Sequence, residues 1–190
     1  MIDGFGRNID YLRISVTDRC NFRCTYCMPE QQTFLPHRDL LTYDEIMELV
    51  ERFIAHGIRK IRLTGGEPLV RRDIEVLIEA LGQHVKAGHL DELTMTTNGS
   101  RLQQFAPLLA SAGMKRVNVS LDTLNPDAFR QISRGGDLAS VLAGIHAARA
   151  HDLDVKINMV ALKNENEDAL LPMADFCAEN GLDLTLIETM

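Results

Sequence analysis

The chain has 190 residues, 45% of them apolar, and 20 Lys and Arg against 27 Asp and Glu give a formal charge of −7. That length suits one domain, the apolar share is ordinary for a globular core, and the acidic balance argues against a surface built for nucleic acid. No apolar run is long enough for a bilayer and the first residues lack the apolar stretch of a secretory signal, so the expected location is cytoplasmic, away from membranes, where thiols stay reduced and serve metals rather than disulfides.

The first predicted strand covers about 11–17, with Leu12, Ile14 and Val16 alternating with Arg13, Ser15 and Thr17. Directly after it come Cys20, Cys24 and Cys27, spaced C-x3-C-x2-C, three of the four cysteines in the chain. Three soft thiolates on one short loop suit an iron–sulfur cluster or zinc. A closed structural site wants four ligands, and the nearest further candidate, His37, lies ten residues on. A three-ligand site leaves one metal position open, and an open position is where chemistry occurs.

Thr42-Tyr43-Asp44-Glu45 has the capping-box form at the head of a helix through Ile46, Met47, Leu49, Val50 and Phe53. A second strand, 59–64, runs into Gly65-Gly66-Glu67-Pro68, and a helix follows from Asp73 to Val85. Arg13, Arg19 and Arg23 surround the cysteine loop, and Arg59, Lys60, Arg62, Arg71 and Arg72 bracket the glycine loop. They suit a small anionic ligand or are solvated charge. Further on, strand 92–97 leads to Asn98-Gly99, a helix at 102–112 and strand 116–121. Asn125-Pro126 reads as a cap followed by proline at the first helical position. Helices at 139–150 and 165–180, the latter capped by Asn164, flank strand 154–161. Cys177 reads as a buried apolar residue, the six histidines show no metal-ligand spacing, and Asp18 and Asp122 read as strand ends. The last strand, 183–189, is followed by no helix, which predicts a domain truncated after its sixth strand with an uncovered edge.

Strand–helix alternation predicts an α/β fold with parallel crossovers. Buried parallel strands usually read as continuous apolar runs, and these do not. Side chains alternate faces with period two, so Arg13, Arg62, Thr94, Thr96, Asn118, Ser120, Lys156 and Asn158 share one polar face. Two arginines and a lysine inside a curved sheet are costly unless an anionic ligand or carboxylates satisfy them. The pattern therefore predicts an incomplete barrel with a ligand-filled lumen, and the loops that carry the motifs all follow strands in the same sense, where α/β folds gather ligands.

The cysteine loop taken with Gly65–Pro68 resembles the radical S-adenosylmethionine (SAM) superfamily. The wider set of 12–24, Cys27-Met28-Pro29, 62–69, 96–99 and 118–122 resembles, within it, the GTP 3′,8-cyclases of molybdenum cofactor biosynthesis. The resemblance implies an incomplete parallel (β/α)6 barrel, a partial TIM barrel, over 1–190. It implies that Cys20, Cys24 and Cys27 hold a [4Fe–4S] cluster whose open iron is chelated by SAM. Tyr26, Gly66, Ser120 and Met190 correspond to SAM contacts, Gly66 by allowing close backbone approach, and Glu67 is expected to accept the SAM ammonium. Arg13, Arg62, Thr96 and Lys156 match positions that hold GTP. The implied reaction is reductive SAM cleavage, abstraction of the ribose 3′ hydrogen of GTP and closure to 3′,8-cyclo-7,8-dihydro-GTP, with an electron donor as a further partner and a homodimer left open. No residue is assigned as a catalytic acid, base or nucleophile. The family's second three-cysteine cluster and glycine tail are not in this sequence, so the chain alone is expected not to complete the cyclisation. Another radical SAM enzyme, such as a peptide-modifying one, and a non-catalytic metal-binding domain are the competing readings.

Overall fold

The structure is a computed structural model that describes residues 2–188. Six strands form one sheet: β1 (Tyr11–Ser15), β2 (Lys60–Thr64), β3 (Glu92–Thr97), β4 (Arg116–Ser120), β5 (Asp154–Ala161) and β6 (Asp183–Glu188). Six α-helices connect them: α1 (Tyr43–Ala55), α2 (Ile74–Lys86), α3 (Leu102–Ser111), α4 (Pro126–Ser133), α5 (Leu138–Ala150) and α6 (Leu170–Asn180). Every pairing is parallel and the spatial order is the chain order, β1 to β6. Crossovers of one hand in unbroken order keep all helices on one side of the sheet, whereas a doubly wound sheet reverses order and covers both faces. The sheet does not close, since β1 and β6 are not paired with each other. This is the expected incomplete (β/α)6 barrel.

The period-two pattern decides what lies on each face. Ile61, Leu63, Leu93, Met95, Val117, Val119, Ile157 and Met159 are fully buried beneath the helices. The interstrand register lines Arg13, Arg62, Thr94 and Arg116 across one row, and Thr96, Asn118 and Lys156 across the next. The rows are two residues, about 6.6 Å, apart along the strands. Cys177 lies in the core as expected. No helix of the structure is long and apolar enough to cross a membrane.

The capping box at Thr42 is present, with Thr42 Oγ1 accepting from Glu45 N and Glu45 answering to the Thr42 backbone. Asn125 caps α4 by accepting from Asp127 N and Ala128 N. The expected helix 165–180 is corrected. Asn164 does not cap it: its φ is +62°, and its backbone N–H donates to Glu167 instead. A short 3-10 turn, Glu167–Ala169, precedes α6, which begins at Leu170. The reason is Asn166, buried with its side chain turned inward. Its Oδ1 accepts from Leu162 N at 2.8 Å, and its Nδ2 donates to Asp122 O and Val160 O, both at 2.9 Å. The chain bends there to staple the ends of β4 and β5 together.

Asn166→Ala leaves three buried backbone groups without this partner. We expect a loss of at least about 2 kcal/mol of stability, because unsatisfied buried polar groups cost about 1–3 kcal/mol each. Urea unfolding checks this, with a change of midpoint at constant slope expected.

Candidate active site

The cysteine loop leaves β1 at its C-terminal end. Val16 N still pairs with Thr64 O, and then Gly66 N donates to Thr17 O at 2.7 Å and Glu67 N to Arg19 O at 2.8 Å. The two motif loops are thus zipped backbone to backbone. A Cβ on Gly66 would lie 2.7 Å from Asp18 O and from the carbonyl carbon of Arg19, so glycine is demanded by this approach alone. The far side of the loop is pinned to the end of α4. Arg23 N donates to Ser133 O, Thr25 N donates to Ile132 O, and Phe22 meets Phe129 edge to face at 6.0 Å. The Arg23 guanidinium donates to Cys20 O and Phe22 O, and it lies over the Phe34 ring at 5.0 Å. Cys27 N and Met28 N both donate to Cys24 O, so the last two cysteines sit on one tight turn.

All three thiols are free; Cys20 and Cys24 are half-buried and Cys27 is exposed. Burial pushes the Cys20 thiol up and the Cys24 thiol up to about 12, with Asp122 and the other cysteines adding to the effect at Cys24. Among the described residues no three His, Cys, Asp or Glu side chains gather round a single ion. Three free thiols on one loop have the donor chemistry of an iron–sulfur cluster or of zinc.

Tyr26 turns inward, and its hydroxyl donates to Asp122 Oδ2 at 2.8 Å, while Asp122 Oδ1 accepts from Val160 N at 2.9 Å. Asp122 is more than a strand end: it ties the cysteine loop to β5. Burial raises its carboxyl, and burial with the Asp122 charge raises the Tyr26 phenol far above its usual range.

The Glu67 carboxylate, expected to meet the SAM ammonium, is fully buried. Oε1 accepts from Leu69 N at 3.0 Å and from Thr97 Oγ1 at 2.8 Å, and Oε2 accepts from Asn98 N at 2.6 Å. The residue is an internal brace between the loops after β2 and β3. Burial pushes its carboxyl up to about 7, against the opposing pull of those donors.

Beneath the loops lies a cavity of about 500 Å³, a small-molecule size. Arg13, Arg62, Thr96 and Lys156 all line it, as strand parity predicted, and Asn118, Ser120 and Asn158 join them. Arg116 lines it too. Sequence reading passed over Arg116, although counting back two from Asn118 would have found it. Arg116 pairs with Glu92 at 3.1 Å. The other arginines are occupied elsewhere. Arg71 donates to Val16 O and Leu41 O, Arg59 pairs with Asp91, and Arg19 lies over Phe34. The expected contact at Met190 falls outside the described residues.

The model of the radical SAM superfamily matches residues 14–177. The chain belongs to this superfamily. Over all 190 residues it is 60% identical to the GTP 3′,8-cyclase of Rhodopseudomonas palustris strain TIE-1, covering 55% of that protein, and 60% identical to that of Sinorhizobium medicae, covering 54%. It therefore spans about half the length of the curated relatives it matches. Among solved structures, Streptococcus suis SuiB bound to its precursor peptide matches with a TM-score of 0.78 at 18% identity, over 95% of this chain and 39% of that one. Methylornithine synthase (PylB) matches at 0.72 and 14%, over 95% and 53%. These distant likenesses speak to the fold alone. Membership of the superfamily implies a [4Fe–4S] cluster and SAM, and the three free thiols of the loop fit the cluster.

Two outcomes test this geometry. Gly66→Ala should separate the two loops and cost about 1–3 kcal/mol, the range for forced overpacking, as read by chemical denaturation. The Glu67 carboxyl is raised in the fold relative to the unfolded chain, so the folded state binds the proton more tightly. Its contribution to stability is complete below about pH 4.5 and is lost as pH rises through about 7. Over that window the stability of the parent should fall relative to Glu67→Gln; a constant difference between the two would contradict the assignment.

Proposed function

We propose that this chain is the SAM-cleaving barrel of a GTP 3′,8-cyclase, and that the polar lumen receives GTP. The observation that carries the reading is the set of lumen cations, Arg13, Arg62, Arg116 and Lys156, beneath the cysteine loop. Arg13 and Arg62 lie side by side on β1 and β2. Close like charges on a sheet face repel unless an anion joins them, and guanidinium groups match phosphate oxygens in pairs. The identity to cyclases over the whole chain points the same way. Because those relatives are nearly twice as long, the proposal places on this chain only the SAM chemistry and the lumen end of the nucleotide.

In this reading Cys20, Cys24 and Cys27 hold the cluster. When bound, the cluster and SAM supply a 5′-deoxyadenosyl radical, the agent that takes the ribose 3′ hydrogen on the way to 3′,8-cyclo-7,8-dihydro-GTP. The protein's part is placement and exclusion of water. Gly65 and Gly66 carry no side chain and lie against the cysteine loop, so their backbone is the part offered to SAM. Ser120 stands one row above Asn118, toward the loop, and offers a hydroxyl between SAM and substrate. Thr96 adds a hydroxyl in the row of Lys156, and the row of Arg13, Arg62 and Arg116 lies deeper, away from the radical source. Phosphates held at that depth leave the sugar nearer the cysteine loop. Tyr26 keeps the expected place beside SAM, where its hydroxyl is bound to Asp122 and its backbone is free to make the contact.

The test uses the anaerobically reconstituted chain with a chemical reductant. SAM cleavage to 5′-deoxyadenosine should vanish when Cys20, Cys24 and Cys27 are replaced together by alanine. GTP binding should weaken about tenfold, roughly 1.4 kcal/mol, for each of Arg13→Ala, Arg62→Ala and Lys156→Ala, while SAM cleavage persists. GTP affinity indifferent to all three changes would overturn the nucleotide reading and favour a different radical SAM substrate, such as a peptide.

A further inference from the structure

We propose that Asn98 is a positioning residue for Cys20, holding the thiolate by an N–H···S hydrogen bond that sets the potential of the cluster bound there. The proposal rests on the cluster-ligand role of Cys20 given above. Asn98 Nδ2 lies 3.7 Å from Cys20 Sγ, within hydrogen-bond reach of a sulfur acceptor, and Phe22 N lies 3.4 Å from the same sulfur.

The amide cannot be turned the other way round. Asn98 Oδ1 accepts from Ser100 N at 3.0 Å and from Ser100 Oγ at 2.7 Å. The backbone N–H can only donate, so the oxygen must face Ser100 and Nδ2 must face the cysteine loop. There Nδ2 also donates to Asn21 Oδ1 at 2.9 Å, and Asn21 Nδ2 donates to Ser100 Oγ at 2.9 Å. Asn98, Asn21 and Ser100 thus close a ring of three side-chain hydrogen bonds. The backbone beneath is fixed as well, since Asn98 N donates to the buried Glu67 carboxylate. Such a braced donor is worth more than a mobile one, because its ordering cost is already met.

Its effect on a cluster follows from charge. Reduction places extra electron density on the cluster and its thiolates. A donor aimed at one thiolate stabilises the reduced state more than the oxidised one and raises the potential. Asn98→Ala removes the donor and should move the midpoint potential to more negative values. Asn98→Asp keeps the acceptor for Ser100 but sets a charge beside the sulfur, and should move it further the same way. Ser100→Ala leaves the donor in place and should move it less than Asn98→Ala.

The experiment is a redox titration of the reconstituted chain without SAM, followed by EPR, with iron content measured for each variant. The expected order of potentials is parent, then alanine, then aspartate. Equal potentials at equal iron content would overturn the proposal while leaving the cluster reading intact. Iron content unchanged when Cys20, Cys24 and Cys27 are replaced together by alanine would instead overturn the cluster reading. An independent readout needs no cluster. In the metal-free chain the Asn98 side-chain amide should exchange slowly with solvent, and its proton resonance should shift on Cys20→Ser. An amide that exchanges freely and ignores that substitution would refute the contact.

Discussion

A buried carboxylate holds the working end of this barrel together. Glu67 receives the backbone N–H of Leu69 and Asn98 and the hydroxyl of Thr97, so it fixes the loops after β2 and β3 relative to each other. Its own backbone N–H donates to Arg19 O, which brings the cysteine loop into the same unit. A charge so deeply buried is tolerated only because three donors converge on it. Carboxylate and backbone of this one residue together join the cysteine loop, the double glycine and the Asn98 ring above the lumen. A site that positions a reactive radical needs such bracing, since small displacements of supporting groups lower rates steeply.

The same economy runs through the sheet. Period-two alternation buries Ile61, Leu63, Val117 and Val119 against the helices and turns Arg62, Thr96, Asn118 and Lys156 inward. Unbroken strand order puts every helix on one side, so among the described residues no helix covers the polar face. Fold and site are therefore consequences of one pattern. Cations that would destabilise an ordinary parallel sheet become the lining of a pocket once an anion joins them.

Much of this was legible in the residues. Strand parity found Arg13, Arg62, Thr96 and Lys156, because side-chain direction in a strand depends only on counting. The cysteine and glycine motifs announced themselves by spacing. What escaped were roles that depend on distant partners. Glu67 read as a partner for the SAM ammonium, and only the fold shows Thr97 and Asn98 converging on it. Asp122 looked like a strand end until Tyr26 and Val160 arrived from other elements. Asn164 had the chemistry of a cap, but Asn166 won the competition by reaching Asp122 and Val160, and the helix started late. Long-range hydrogen bonds of this kind leave no local periodicity to read.

The central claim is that three thiolates hold a cluster with one open iron directly above a cationic lumen. EPR of the anaerobically reconstituted, reduced chain with and without SAM tests it most directly. The account predicts a cluster signal whose g-values change when SAM is added, because SAM takes the open position. A cluster signal indifferent to SAM would contradict it, since the fourth iron site would then be closed or out of reach.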